Sequence, residues 1–243
     1  MNTIFGRNAA LAVLSSAKRE IFEIICLNSK FEEYSEYIPE SLKKKTRVVK
    51  NDILQKITKE TDKHQGICII AGELPTKSFS EILSSVENKD CANIFILDSI
   101  NDPQNLGAIL RSSYCFGVDA VLISKQNSCK ITNAVTRASA GYSEMIDIHY
   151  CSNITNSLRE FQKNDFFSTS LEVGKNSEKK IELRDFIQSH KKRIFIFGSE
   201  GVGVSQLVSK TSDYNTLLPM KEGVDSLNLS NTVAIVGWEC FSV

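Results

Sequence analysis

The stretch "NIFILDSINDPQNLGAILRS", residues 93–112, holds a change of period that decides the fold. The run "IFIL" before Asp98 is unbroken and apolar, as in a strand buried on both faces. Asp102 is then a good helix N-cap, and Pro103 takes the first helical position, where its missing N–H is no loss. Beyond them Leu106, Ile109, Leu110 and Phe116 recur at helical spacing. Strand, short loop and capped helix predict an α/β unit with the loop at a strand's carboxyl end. Gly107 leaves room for a close neighbour, and Arg111 lies one turn further along on the same side. The plainer alternative for this loop is a helix start whose Arg111 pairs with a surface carboxylate.

The same alternation runs through residues 91–243. Buried-type strands "NIFILD", "AVLIS", "FFSTSL", "RIFIFG" and "YNTLLP" are separated by helical patterns at 103–116, 131–139, 153–163 and 204–210, with another from about 228 to the end. This predicts a mostly parallel sheet with helices on both faces, and such sheets bind ligands at the carboxyl ends of their strands. Residues 1–73 form a separate small α/β pattern: a helix near 6–17, the strand "IFEIICL" at 21–27, a helix near 30–45, "TRVV", a helix from Asp52, and "GICIIAG" at 66–72. Residues 74–90 read as a linker leading into a helix.

Composition narrows the class. With 243 residues, 42% hydrophobic and 24% charged, the chain can bury a sizeable core. No run nears the roughly 18 apolar residues needed to span a bilayer. The opening "MNTIFGRNAALAVLSSAKRE" patterns as an amphipathic helix rather than a signal peptide, so the expected compartment is the cytoplasm. Seven scattered cysteines without a CxxC pair and three distant histidines suggest neither disulfides nor a metal site. Basic and acidic side chains balance at 29 each, but residues 1–72 hold 12 basic against 9 acidic. The run Lys43–Lys50 supplies much of that excess, as a solvated turn or a nucleic-acid patch.

Two further strand-end loops carry unusual residues. "FGSEGVGVS", 197–205, sets Gly198, Gly201 and Gly203 around Glu200, which suggests backbone wrapped about a ligand. It fits neither GxGxxG nor a P-loop, and its carboxylate suits a cationic or hydroxyl-bearing ligand better than a phosphate. In "LLPMKEGVDSLNLSNTVAIVGWE", 217–239, a strand ends at Leu218 and a terminal helix begins among Ser226, Asn228 and Ser230. These are either helix caps or a hydrogen-bonding wall for a sugar or base.

"DPQNLGAILRS", "FIFGSEGVG" and "LPMKEGVDSLNLS", in this order, resemble the three motifs of the SpoU, or TrmH, RNA ribose methyltransferases, over about 91–243. "IFGRNAALAVL", "IFEIICL" and "HQGICIIAG" resemble the small substrate-binding domain of the RlmB-type ribosomal RNA enzymes. The resemblance implies a deep trefoil knot of the SPOUT kind in the parallel-sheet domain, preceded by an L30e-like α/β RNA-binding domain. It also implies a homodimer that transfers a methyl group from S-adenosylmethionine to a ribose 2'-hydroxyl, in the RlmB type that of a guanosine in large-subunit (23S) ribosomal RNA, and this agrees with the expected lack of a metal site and of a membrane span. Matched motif by motif, the catalytic positions are Asn105, Arg111, Glu200, Ser226 and Asn228. The cofactor would lie against Gly198, Leu218 and Leu227, and RNA would be gripped by Arg7, Lys43, Lys44 and Arg47. Glu222, Asp225, Asn231 and Thr232 depart from the family's usual small residues in the third motif.

Methyl transfer is an in-line displacement that positioning and desolvation can accelerate without a metal. The hydroxyl must lose a proton, yet the loops offer no histidine and a single carboxylate at the motif positions. Arginine as a residue type holds its proton firmly, so the role preferred for Arg111 is to clamp the target phosphate and steady the developing alkoxide. Transfer RNA, or another ribosomal nucleotide, is the alternative substrate. A non-catalytic RNA-binding assembly factor is the alternative class, and a nucleotide-dependent oxidoreductase is disfavoured by the absent GxGxxG.

Overall fold

The computed structural model describes residues 1–60, 62–171, 179–199, 201–224 and 226–242. In chain order the first elements are β1 (Asn2–Phe5), α1 (Arg7–Ser16), β2 (Ile21–Leu27), α2 (Phe31–Ser35), β3 (Thr46–Val49), α3 (Asn51–Thr58) and β4 (Ile67–Ala71). They are followed by α4 (Phe79–Val86), β5 (Ala92–Leu97), α5 (Pro103–Cys115), β6 (Ala120–Ser124), α6 (Asn133–Ala138), β7 (Asp147–Cys151) and α7 (Ile154–Gln162). The remainder are β8 (Phe167–Leu171), β9 (Lys180–Ile181), α8 (Leu183–Ser189), β10 (Lys192–Phe197), α9 (Gln206–Thr211), β11 (Tyr214–Thr216) and α10 (Leu229–Phe241).

The chain divides into two units, one of residues 1–75 with 130–145 and one of 76–129 with 146–243. The first holds a four-stranded sheet in the order β1-β4-β2-β3, with only β2 and β3 parallel. Ile4, Ile24, Ile67 and Ile69 on the sheet and Ala10, Val13 and Leu14 on α1 form its main core. Segment 130–145 belongs to this unit: Gly141 packs so closely on α1 that a Cβ there would lie 2.8 Å from the Asn8 carbonyl oxygen. Arg19 and Glu144 form a bidentate ion pair with both side chains fully buried, and Arg19 also donates to the Gly72 carbonyl.

Two expectations for this unit are corrected. The opening residues are not all helix: Asn2–Phe5 pair with β4, and helix begins only after Gly6. The expected helix over 30–45 is broken into α2 and two 3-10 turns, because Pro39 has no N–H to continue the ladder. The helix expected to follow the linker within 74–90 is α4, opened by a Ser78–Glu81 capping box, and its Ile82 and Val86 enter the core of the second unit.

The second unit holds a seven-stranded sheet in the order β7-β6-β5-β10-β8-β11-β9, parallel throughout. Alternation along β5 and β10 covers both faces. Ile94, Ile96, Ile194 and Ile196 meet Leu158 and Phe161 of α7 on one side, while Phe95 packs edge-on to Phe195 and Phe197, and Phe195 to Phe186 of α8. The motif reading did not include β7, β9 or α8, and β11 ends at Thr216 rather than Leu218. Leu97 and Phe197 are register partners, so β5 and β10 end side by side. From there the chain leads to β6 on one side and β11 on the other, which makes this edge the point where strand order reverses.

Candidate functional site

The loops leaving β5 and β10 are built by short-range chemistry. Asp102 accepts from the Gln104 and Asn105 N–H groups at 3.0 and 3.2 Å, and Pro103 follows it, so α5 starts where its local residues dictate. The preceding loop is pinned by Ser124 Oγ, which accepts from Ser99 N–H, and Ser128 Oγ, which accepts from Ile100 N–H. Asp98, 8% exposed, joins the first two loops. Its carboxylate accepts from Ser99 Oγ and, at 3.2 Å, from the Ser205 N–H at the start of α9. Sequence reasoning did not single out Asp98; its signal was a carboxylate directly after a buried strand.

Gly198 is required by the loop itself. A Cβ there would collide with the Gly203 carbonyl carbon and the Val204 nitrogen, because 198–204 folds back through a Ser199–Gly203 bridge with Gly203 N–H donating to Ser199 O at 2.9 Å. The space beside Gly198 is thus filled by the chain, so only its backbone is available to a neighbour. Gly201 and Gly203 have φ +94° and +73°, Gly223 has φ +84°, and the room a side chain would take at each is open. Glu200 lies outside the described residues.

The third loop meets the first. Asn228 caps α10, accepting from Ser230 N–H at 2.9 Å and Ser230 Oγ at 2.6 Å. Its Nδ2 donates to Asn105 Oδ1 at 3.2 Å, linking residues 123 apart in sequence. Helix α10 lies tightly on α5: a Cβ at Gly237 would be 2.9 Å from Phe116 Cδ2. Gly107 is buried, while Arg111 is exposed and pairs with no carboxylate among the described residues. Ser226 is exposed, Leu218 half-buried, and Leu227 38% exposed. These segments therefore carry amide and hydroxyl groups, a cation with no carboxylate partner among the described residues and two partly exposed aliphatic chains.

In the N-terminal unit Arg7 Nε lies 3.4 Å from Glu33, Lys43 pairs with Glu40 at 2.6 Å, and Arg47 with Glu23 at 2.9 Å. Lys44 is exposed. The basic run is therefore partly neutralised by its own neighbours, and exposed pairs of this kind exchange partners at little cost.

Among the described residues no group of three His, Cys, Asp or Glu side chains could hold a metal ion, and no helix is long and apolar enough to cross a membrane.

The SpoU rRNA Methylase family matches residues 92–238, and the RNA 2'-O ribose methyltransferase substrate-binding family matches residues 3–77. A protein of Staphylococcus epidermidis named as a TrmH family tRNA/rRNA methyltransferase is 32% identical over 179 residues, 73% of this chain and 70% of that protein. An uncharacterized tRNA/rRNA methyltransferase of Borreliella burgdorferi is 34% identical over 164 residues, 68% of this chain and 70% of that protein. The fold is similar to that of the AdoMet-bound rRNA methyltransferase from Sinorhizobium meliloti, with a TM-score of 0.79 at 16% identity over 98% of this chain and 86% of that one. The residues present fit that cofactor: the glycine turns leave open room beside their backbone, and Leu218 and Leu227 offer aliphatic surface to a flat base. The chain belongs to the SpoU family and is an S-adenosylmethionine-dependent RNA 2'-O-ribose methyltransferase.

Proposed function

We propose that this enzyme methylates the 2'-hydroxyl of one nucleotide, a guanosine, in large-subunit (23S) ribosomal RNA. In this reading it works in the cytoplasm as a homodimer, its parallel-sheet domain carries a deep trefoil knot, and its L30e-like N-terminal domain binds the RNA. The observation that supports the site best is the Asn228–Asn105 hydrogen bond, which joins the third loop to α5, the helix that carries Arg111, whose side chain has no carboxylate partner among the described residues.

When bound, S-adenosylmethionine supplies a methyl group activated on a sulfonium. The chain's own residues do the rest. The backbone near Gly198, Leu218 and Leu227 would hold the cofactor. Asn105, held by Asn228, orients the ribose. Ser226 and Asn228 add hydrogen bonds from the third loop, and Glu200 retains the role its motif position implies. Arg111 grips the phosphate beside the target and stabilises the alkoxide as the proton departs to phosphate or water. Arg7, Lys43, Lys44 and Arg47 hold the RNA backbone by exchanging their intramolecular carboxylates for phosphates.

Ribosomal RNA is preferred over transfer RNA because the chain carries a substrate-binding domain over residues 3–77. The test is transfer of labelled methyl groups to bare ribosomal RNA and to transfer RNA in parallel. Label on a ribose of large-subunit RNA is expected; label on transfer RNA alone would overturn the substrate, and label on neither would overturn the reading.

A further inference from the structure

The N-terminal unit contains a cleft of about 430 Å³, and of its lining only Arg7 has a part in the reading above. We propose that this cleft takes a single unstacked guanine base of the RNA substrate, a recognition point separate from the methylated ribose. The inference rests on the reading that RNA is the substrate.

The first observation is His64. It is 4% exposed and lines the cleft. Gly66 N–H donates to its Nδ1 at 3.1 Å, so the neutral ring carries its proton on Nε2. That Nε2–H is buried and has no acceptor among the described residues. A buried donor left without a partner is costly, and the residue that carries it belongs to the lining of a concave site.

The second observation is charge. The cleft is lined by two cations, Arg7 and Lys30, and two carboxylates, Glu33 and Asp62. Lys30 Nζ donates to Glu33 at 2.8 Å, and this bond, with Arg7 nearby, holds the Glu33 carboxyl below the usual range. A neutral lining with donors and acceptors in equal measure does not suit a phosphate as its occupant, and the exposed Arg7 can still pair with a backbone phosphate outside it. It suits the edge of a base. Among the four bases, guanine alone presents two adjacent N–H donor groups for a carboxylate together with a carbonyl and a ring nitrogen for a guanidinium fork or a ring N–H.

The third observation is shape. Tyr34, 1% exposed, donates its hydroxyl to the Gln65 carbonyl at 2.7 Å and so forms a fixed floor. Gly66 has φ +87°, and a Cβ there would lie 2.9 Å from Lys30 Cγ, so only glycine lets the Lys30 stem close that side of the cleft. The volume lies in the range of small-ligand sites, about 300–1,000 Å³.

The test uses the full chain with isotope-labelled histidine, titrated with the four nucleoside 5'-monophosphates, which share a phosphate and differ in base. GMP should move the His64 ring resonances saturably, with the other three at least about 10-fold weaker, the discrimination a well-placed bidentate contact commands. IMP, which lacks the 2-amino group, should fall between. R7A, at an exposed position, should weaken GMP binding without altering the fold. H64F should raise KM for ribosomal RNA about 10-fold, the size of one lost buried hydrogen bond, with kcat and cofactor affinity unchanged, and H64Q, which restores an N–H, should recover part of it. His64 resonances unmoved by GMP, or moved equally by all four nucleotides, would overturn the proposal even if H64F fails to fold. Normal methylation of RNA with unmoved His64 resonances would sink the cleft alone, whereas no methylation by the wild type would sink the functional reading itself.

Discussion

Gly198→Ala separates a steric role for this glycine from a merely conformational one. The added Cβ would run into the Gly203 carbonyl carbon and the Val204 nitrogen. Both are backbone atoms, so no side chain can turn away, and the 198–204 loop must open. Overpacking of this kind costs about 1–3 kcal/mol. The Gly203 N–H to Ser199 carbonyl bond, lost with the bridge, adds about 0.5–1.5 kcal/mol. Together these give about 1.5–4.5 kcal/mol, or a fall of about 3–18 °C in melting temperature for a chain of this length. Gly201→Ala meets open space and carries only the left-handed backbone cost of about 1–2 kcal/mol, so it should fall by about half as much. Calorimetric melting of both variants, with cofactor titrations, checks the order. G198A should be the less stable and should bind S-adenosylmethionine more weakly. If G198A melts within about 2 °C of wild type, the loop does not close as described.

Three further outcomes can be measured. Arg111→Ala should lower kcat about 10²–10³-fold with little change in cofactor affinity, and Arg111→Lys should fall between, because an ammonium cannot supply the planar fork; single-turnover transfer assays decide it. Glu144→Gln should leave the Arg19 guanidinium buried without its partner and cost about 3–5 kcal/mol in urea denaturation, while the double variant R19M/E144L should recover most of that loss. Burial pushes the His190 imidazole below its ordinary 6.5, against the pull of Asp213 and with the help of Arg193. The unfolded chain therefore binds a proton that the folded chain refuses, so stability should be full above about pH 6.5, decline as the pH falls below it, and level off beneath the folded value; H190Q should flatten that slope in denaturation measured across pH.

What could be read from the residues was what short-range chemistry fixes. Asp102 and Pro103 mark the start of α5, and Asn228 caps α10, because a cap is a bond between neighbours. The parallel sheet followed from apolar runs too uniform for a half-exposed strand. β7 was not read because "DIHYC" places Asp147, His149 and Tyr150 in a strand that lies at the sheet's edge, where one-sided burial blurs the pattern. The break at Pro39 was passed over because the charged residues around it suit a helix. Long-range partners were out of reach. Nothing local ties Arg19 to Glu144, or Asn105 to Asn228, and residues 130–145 carry no sign that they pack in the N-terminal unit. The His64 cleft was hidden for the same reason, since its lining comes from four separate segments.

The central claim is the chemistry at the edge shared by β5 and β10, and the most direct measurement is mass-spectrometric mapping of ribose methylation in ribosomal RNA from cells with and without this gene. The account predicts one large-subunit guanosine that carries a 2'-O-methyl group only when the gene is present, and that is not restored by the Arg111→Ala variant. Identical ribose methylation in both, or full restoration by Arg111→Ala, would contradict it.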